Sequence, residues 1–332
     1  MESRGLTSDV QATALALAGV ATVLAGAREG SAALGVARAL PQCLGVLAAT
    51  RNPEKAWSFS GLCADGCPLE FTFSNRHVGL SFTVDAAPPE CAPQDRLEAA
   101  VALALRLGYA GPSPQKVRQW GAMQAGRTLL WGARLGFREQ GNRAALKYYV
   151  EVPAAAPAAG MPATVPRFDD SHAVMIGHDP DHDRTEFYFQ RRLFSLKDLR
   201  QVLDVLPSAA GRGALEDGIE QLCGRRLLEA LYWTYFGYSV SLGADGEAVP
   251  AFFAKSGAIG GARRARGRML QTMPEAVKER SLYHRLLAGL PDSALPEHGI
   301  MSVCLGTGPG PELRTGLSGL ALARLLADAG VR

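Results

Sequence analysis

Apolar and polar residues alternate along five separate stretches of this chain, and the alternation predicts five β-hairpins. In 68–85, Leu69, Phe71 and Phe73 alternate with Glu70, Thr72 and Ser74. After a turn at 75–77, Leu80, Phe82 and Val84 alternate with Gly79, Ser81, Thr83 and Asp85. A two-residue period sends the two sets to opposite faces of a sheet. The pattern returns at 129–152, 172–191, 235–255 and 299–319. Helical stretches are predicted at 8–27, 30–49, 93–108, 114–125, 195–206, 213–234, 273–290 and 319–329, most of them between hairpins. Residues 153–166 (PAAAPAAGMPATVP) read as a mobile Pro/Ala-rich connection. Ten antiparallel strands, polar on one face and greasy enough on the other to carry helices, imply an α+β fold. The expected form is a single closed barrel with a solvent-filled lumen, ringed by α-helices.

Bulk properties narrow the function without choosing it. The chain has 332 residues, 47% of them hydrophobic and 20% charged, so it can bury a large core. A net charge of +3 is too small to argue for a nucleic-acid partner, and the basic run Arg263, Arg264, Arg266 and Arg268 reads as a solvated loop. Six cysteines are scattered without a disulfide framework, which points to reduced thiols and a cytoplasmic protein. The uncharged stretch 10–27 mimics a signal peptide, but Ser8 and Gln11 resemble a capping box and favour a packed helix. No other segment is long and apolar enough to span a membrane.

The chemistry is expected on the polar face. One acid stands there near an end of the set, Glu70. With it come cationic groups (Arg134, Arg138, Lys147, Arg184, Lys255, Arg314) and two tyrosines, Tyr149 and Tyr188. Several cations in one lumen repel each other unless an anion sits among them, so a polyanionic ligand is implied. Aromatic faces shield a cation, and a carboxylate takes a proton or orients an acceptor. Together these suit heterolysis of an allylic diphosphate.

An α-β-β-α barrel with a cationic, tyrosine-lined lumen resembles the ABBA aromatic prenyltransferases, and within them the cyanobactin peptide prenyltransferases. The resemblance covers about 55–320, with 1–54 as N-terminal helices, and makes the whole chain one domain. It is carried by "PLEFTF", "AALKYYVEV", "TEFYFQ" and "PELRTGL". These imply Glu70 as base or acceptor orienter, Lys147 and Arg314 as diphosphate ligands supported by Arg134, Arg138 and Lys255, and Tyr149 and Tyr188 as cation shields. The family's early second-strand arginine is replaced here by Gly79, so Arg76 or Arg134 must substitute or the diphosphate sits differently. Small Ser239 and Gly316 would make room for an isoprenoid longer than five carbons. The implied activity is transfer of a dimethylallyl or geranyl group to a side chain of a ribosomal peptide by a monomer or weak homodimer, with Mg²⁺ on the diphosphate. The alternatives are a small indole or phenol acceptor and a non-catalytic isoprenoid-binding barrel.

Three other motifs have simpler readings. GHDPDHDR at 177–184 resembles a metal cluster, yet Asp, Pro and Gly belong in the hairpin turn it must make. Phe168, Asp169 and Asp170 resemble the aspartate-rich motif of chain-elongating prenyl synthases, but the two acids are a lone pair without a second copy or a helical setting. GTGPG at 306–310 joins two strands and fails as a phosphate loop, which needs a strand followed by a helix.

Overall fold

The computed structural model describes residues 19, 31–52, 55–79, 81–140, 143–154, 161–162, 165–166, 168, 171–191, 194–226, 236–305 and 310–328. Helix α1 (Ser31–Ala48) precedes strands β1 (Leu69–Ser74) and β2 (Ser81–Asp85), and α2 (Arg96–Arg106) and α3 (Pro114–Gln124) follow. Next come β3 (Ala133–Gln140), β4 (Arg143–Glu151), β5 (His172–Asp179) and β6 (Arg184–Arg191), then α4 (Leu196–Leu203) and α5 (Ala209–Cys223). The chain continues through β7 (Phe236–Leu242), β8 (Ala248–Lys255), α6 (Gly261–Thr272), α7 (Glu275–Lys278) and α8 (Leu282–Leu287). It ends with β9 (His298–Leu305), β10 (Pro311–Ser318) and α9 (Gly319–Asp328).

The ten strands form one closed antiparallel barrel in which β1 pairs with β10. Asn75 extends that seam: its backbone N–H donates to Leu313 O (3.0 Å), its side-chain oxygen accepts from Leu313 N (2.8 Å), and its amide donates to Thr272 of α6 (3.0 Å). The outward rows are buried under helices. Leu69, Phe71, Phe82, Leu135, Phe137 and Tyr148 join Leu40 and Leu44 of α1 and Leu97 of α2 in one cluster. Phe189, Tyr238, Phe252, Met301 and Val303 join Leu199 of α4, Leu215 and Ile219 of α5 and Met269 of α6 in the other. Gly218 lets α5 lie against the sheet, since a Cβ there would meet Val303 at 2.5 Å. Among the described residues no helix is long and apolar enough to cross a membrane.

The inward row is continuous around the barrel. Glu70 stands opposite Thr83, Thr83 opposite Gly136, and Gly136 opposite Lys147. Tyr149 faces Gly177, Gly177 faces Glu186, and Tyr188 faces Ser239. Ser239, Ala251, Cys304 and Glu312 complete the circuit. The five hairpins run where the alternation places them, with corrections at their ends. The expected strand from 129 starts only at Ala133, because the amides of 130–132 turn away from the ladder. The Glu151 carboxylate accepts from Leu130 N (2.8 Å), Trp131 N (2.6 Å) and Gly132 N (2.7 Å), and Gly132 takes a φ of +71°.

The helices also depart from expectation. The basic run does not form a loop but lies on α6, whose Ala265 and Met269 are buried one turn apart. Arg263 and Arg266 of this helix pair with Asp292 at 3.0 and 2.7 Å. The single helix expected over 273–290 is broken into α7 and α8, with the Ser281 hydroxyl capping the second by accepting from His284 N (3.4 Å). The helix expected over 213–234 runs from Ala209 to Cys223 and is stopped by Gly224, which takes a left-handed φ of +66°. The helix predicted over 8–27, apart from residue 19, residues 227–234, most of the 153–166 connection, Asp169 and Asp170, and the 306–309 turn lie outside the described residues.

Because Glu151 is buried and satisfies three backbone donors, Glu151→Ala is expected to lower stability by about 3 kcal/mol. Glu151→Gln, which keeps one acceptor oxygen, should lose roughly half of that. Denaturant unfolding of the two variants at constant m-value measures both.

Candidate active site

At mid-height of the lumen, β4 and β6 bring four functional side chains together. The Lys147 ammonium is bonded to the Glu186 carboxylate and donates to the Tyr188 hydroxyl at 3.0 Å. Ser239 of β7 donates to the other oxygen of Glu186. Burial works to raise the Glu186 carboxyl, but the Lys147 charge and the hydrogen bonds from Lys147, Ser239 and Tyr188 outweigh it and hold the group at about 2. Burial, together with the neighbouring Glu186 carboxylate, pushes the Tyr188 phenol well above its usual range. The ammonium lies 5.5 Å from the Tyr149 ring centre and 5.4 Å from that of Tyr188, and the two rings are 6.2 Å apart at 64°. Phe253 of β8 extends the aromatic wall at 6.1 Å from Tyr188.

Glycines on neighbouring strands seat this group. A Cβ on Gly136 would come 2.7 Å from the Tyr149 ring, one on Gly177 would strike Lys147, and one on Gly237 would strike Phe253. Lys147 and Arg314 retain 21% and 36% of their side-chain exposure although they point inward from paired strands, so free space remains inside the barrel.

Toward the end that carries the hairpin turns, Arg314 of β10 is gripped by Glu312 through Nε (2.8 Å) and Nη2 (2.9 Å). Cys304 of β9 points its thiol at Glu312 (3.7 Å), and burial pushes that thiol up to about 12, so it is neutral. Around the rim stand Arg76, donating to Pro311 O at 3.2 Å, Arg138, 3.9 Å from Asp179, and Arg184, bonded to Ser241 at 2.6 Å.

The opposite end holds Glu70. A register shift between β9 and β10 leaves Gly299 and Gly316 beside each other, and the Glu70 carboxylate lies across both. Burial, opposed only by Arg134, pushes Glu70 up to about 7. Arg134 is buried in an ion pair with Asp85 (3.1 Å) beneath the Trp131 ring (4.5 Å), and Arg96 meets the same Asp85 at 3.4 Å. The segment 57–67 packs against this end through Ser60 on Arg134 (3.5 Å) and Asp65 on Ser318 (2.5 Å). Lys255 ends β8 and is exposed.

The structure therefore revises the sequence-derived site. Glu70 is not the one acid in the lumen: Asp85, Glu151, Glu186 and Glu312 share its face. Lys147, Tyr149 and Tyr188 come together, with Arg314 on the same face, whereas Arg134 is held apart by Asp85 and Lys255 lies at an exposed strand end. Ser239 is committed to Glu186, and the space left by Gly316 is taken by Glu70 rather than left open. Glu186 and Phe253 are site residues that the sequence analysis did not single out, because nothing in their spacing marks them as partners of Lys147 and Tyr188. In GHDPDHDR, Lys116 of α3 ties the turn by meeting Asp183 (2.6 Å) and His178 (3.4 Å), and His182 meets Asp179 (2.9 Å). Among the described residues no group of three or more His, Cys, Asp or Glu is placed to hold a metal ion.

No protein-family model matches the chain, and no curated protein matches it. Solved structures do. The 5-dimethylallyltryptophan synthase from Streptomyces coelicolor superposes with a TM-score of 0.68 at 14% identity, over 95% of this chain and 98% of that one. The 6-dimethylallyltryptophan synthase from Micromonospora olivasterospora, in complex with DMASPP and Trp, gives 0.68 at 17% identity over 95% and 98%. The prenyltransferase PriB, in a ternary complex with L-tryptophan and dimethylallyl thiolodiphosphate, gives 0.67 at 16% identity over 93% and 96%. At these identities the likeness is one of fold, and the fold is the helix-ringed ten-stranded barrel of the ABBA prenyltransferases.

Proposed function

We propose that this protein is a prenyltransferase that moves a dimethylallyl-type group from its diphosphate to an electron-rich ring carbon of a small indole-class acceptor. The observation that carries the reading is the stack in the lumen: a cation, Lys147, set against the faces of Tyr149 and Tyr188. Support for the acceptor comes from the solved neighbours, which bind Trp or L-tryptophan beside a dimethylallyl diphosphate analogue. That support favours a small indole over the ribosomal peptide implied by the cyanobactin resemblance. Six free cysteines accord with a reducing compartment, taken here as the cytoplasm.

The reaction follows from the order of groups along the barrel. The allylic C–O bond breaks with its electron pair going to the leaving diphosphate. Lys147 has three N–H donors and spends two on Glu186 and Tyr188, so one remains for a phosphate oxygen. Arg314 spends Nε and one Nη2 donor on Glu312, which aligns its fork and leaves further N–H groups for the same anion. Tyr149, Tyr188 and Phe253 present ring faces to the allyl cation and keep water from it. A carbon–carbon bond forms from the acceptor ring to the allyl carbon, and the ring proton then passes to Glu70. The Mg²⁺ expected with the diphosphate does not fit a protein-held site, because Glu186 and Glu312 are engaged by Lys147 and Arg314. Mg²⁺ would travel with the diphosphate, and no step above uses it.

Incubation with dimethylallyl diphosphate and a panel of L-tryptophan, indole, L-tyrosine and a Trp-containing peptide should release pyrophosphate. Mass spectrometry should find the tryptophan product one dimethylallyl unit heavier. Product on the peptide alone would move the acceptor class to peptides, and tight diphosphate binding without release on any acceptor would identify a carrier.

Glu70 must be ionised to take the proton, so kcat/KM for the acceptor should fall as the pH drops through about 7. Glu70→Gln should lose turnover by about 100-fold or more and show no such limb. Full turnover in that variant would remove Glu70 from the mechanism. Arg314→Ala should lower kcat/KM for the donor by roughly 10- to 100-fold, the worth of one charged hydrogen-bonding group, in steady-state kinetics.

A further inference from the structure

Resting on the donor-site reading above, the charge balance of the lumen has a consequence for how a diphosphate binds. The inward cations at its heart are already matched: Lys147 by Glu186, Arg314 by Glu312, and Arg134 by Asp85. A diphosphate that takes the remaining donors of Lys147 and Arg314 adds negative charge beside the two carboxylates already paired with them. Two anions would then flank one ammonium where water is scarce and screening is weak. Glu312 is held by both arms of the Arg314 fork, whereas Glu186 leans on a single ammonium and two hydroxyls, so the Lys147–Glu186 pair is the one that yields.

We propose that Glu186 is the positioning residue of the donor site: it fixes Lys147 and Tyr188 in the free enzyme and takes up a proton from solvent when an allylic diphosphate binds. The neutral acid no longer opposes the incoming charge, and Lys147 is released to face the phosphate. Lys147, Tyr188, Cys304 of β9 and Arg314 of β10 interact directly with Glu186, and the other titratable or charged groups on the inward face around it are Tyr149 of β4, Arg184 of its own strand and Glu312, the partner of Arg314. Ser239 and Ser241 of β7 add only hydroxyls, and β5 presents Gly177. In the free enzyme the carboxylate is ionised, held near 2 against burial by Lys147 and its hydrogen bonds. The proton therefore appears only when the donor competes for Lys147, and affinity must rise as the pH falls.

Titration calorimetry with dimethylallyl thiolodiphosphate, whose C–S bond replaces the labile C–O bond, tests this. It is run in two buffers of different ionisation enthalpy between about pH 5.5 and 8. The wild type should take up as much as one proton more than Glu186→Gln, with the excess growing as the pH falls. Its affinity should steepen relative to that variant by up to tenfold per pH unit. Glu186→Gln should bind the analogue more tightly at pH 8 yet turn over more slowly, because Lys147 and Tyr188 lose their anchor, and Glu186→Asp should restore the proton uptake. Equal proton counts in wild type and Glu186→Gln would overturn the assignment of Glu186 while leaving the donor site intact. A wild type that binds the analogue with no proton uptake at any pH would do the same without any variant. Absence of binding in the wild type would instead overturn the donor-site reading, and this inference with it.

Discussion

Closure of the barrel is the constraint on which the rest depends. Once β1 pairs with β10, the barrel has no free strand edge, and the inward side chains away from its two ends face one another instead of bulk water. Asn75 reinforces that seam by bonding both β10 and α6, so the joint is tied to the helical layer as well as to the sheet. Charges brought inside must then find partners or shift their protonation. The lumen does both. Lys147, Arg314 and Arg134 each acquire a carboxylate, while Glu70, with only Arg134 opposing its burial, moves toward neutrality.

This division gives the barrel a chemical axis. Toward the hairpin turns lie paired cations with spare N–H donors, suited to an anion. Mid-height lies the aromatic wall, and toward the helical connections lies Glu70, which burial pushes up to about 7. Small residues make the arrangement possible. Gly136, Gly177 and Gly237 leave the depth that lets Tyr149, Lys147 and Phe253 lie against the wall, while the register shift at Gly299 and Gly316 makes the seat for Glu70. A glycine on one strand thus sets the pose of a reactive group on the next, which is how an interior lined by long side chains keeps free space.

The paired cations also change the meaning of a basic lumen. An excess of unpaired positive charge would attract any polyanion. A cation already matched by a carboxylate discriminates further, because the incoming anion must offer better geometry than the resident one and must deal with the charge it displaces. Lys147 and Arg314 differ in this respect: one rests on a single carboxylate and hydroxyls, the other is clamped at two points.

Much of this was legible in the sequence. A period of two needs only local backbone geometry, so the alternation identified the five hairpins and put Glu70, Lys147, Tyr149, Tyr188 and Arg314 on one face. It did not say which inward residue meets which, because partners across strands depend on register, tilt and closure, which are properties of the whole sheet. Glu186 lies in the alternating stretch 172–191, but only the neighbouring strands made it the counter-ion of Lys147. Arg134 was read as a candidate anion ligand until β2 set Asp85 beside it. The alternating stretch was expected to begin at 129, yet three amides on Glu151, a carboxylate about twenty residues away, drew 130–132 out of the ladder. The basic run at 263–268 shows the same limit: a helix there depends on burying Ala265 and Met269 beneath its charges. The chain by itself determined which side chains enter the lumen, since that follows from alternation along each strand. Only the tertiary structure decided which of them are paired, because Coulomb and hydrogen-bond energies depend on distances that closure of the barrel alone sets.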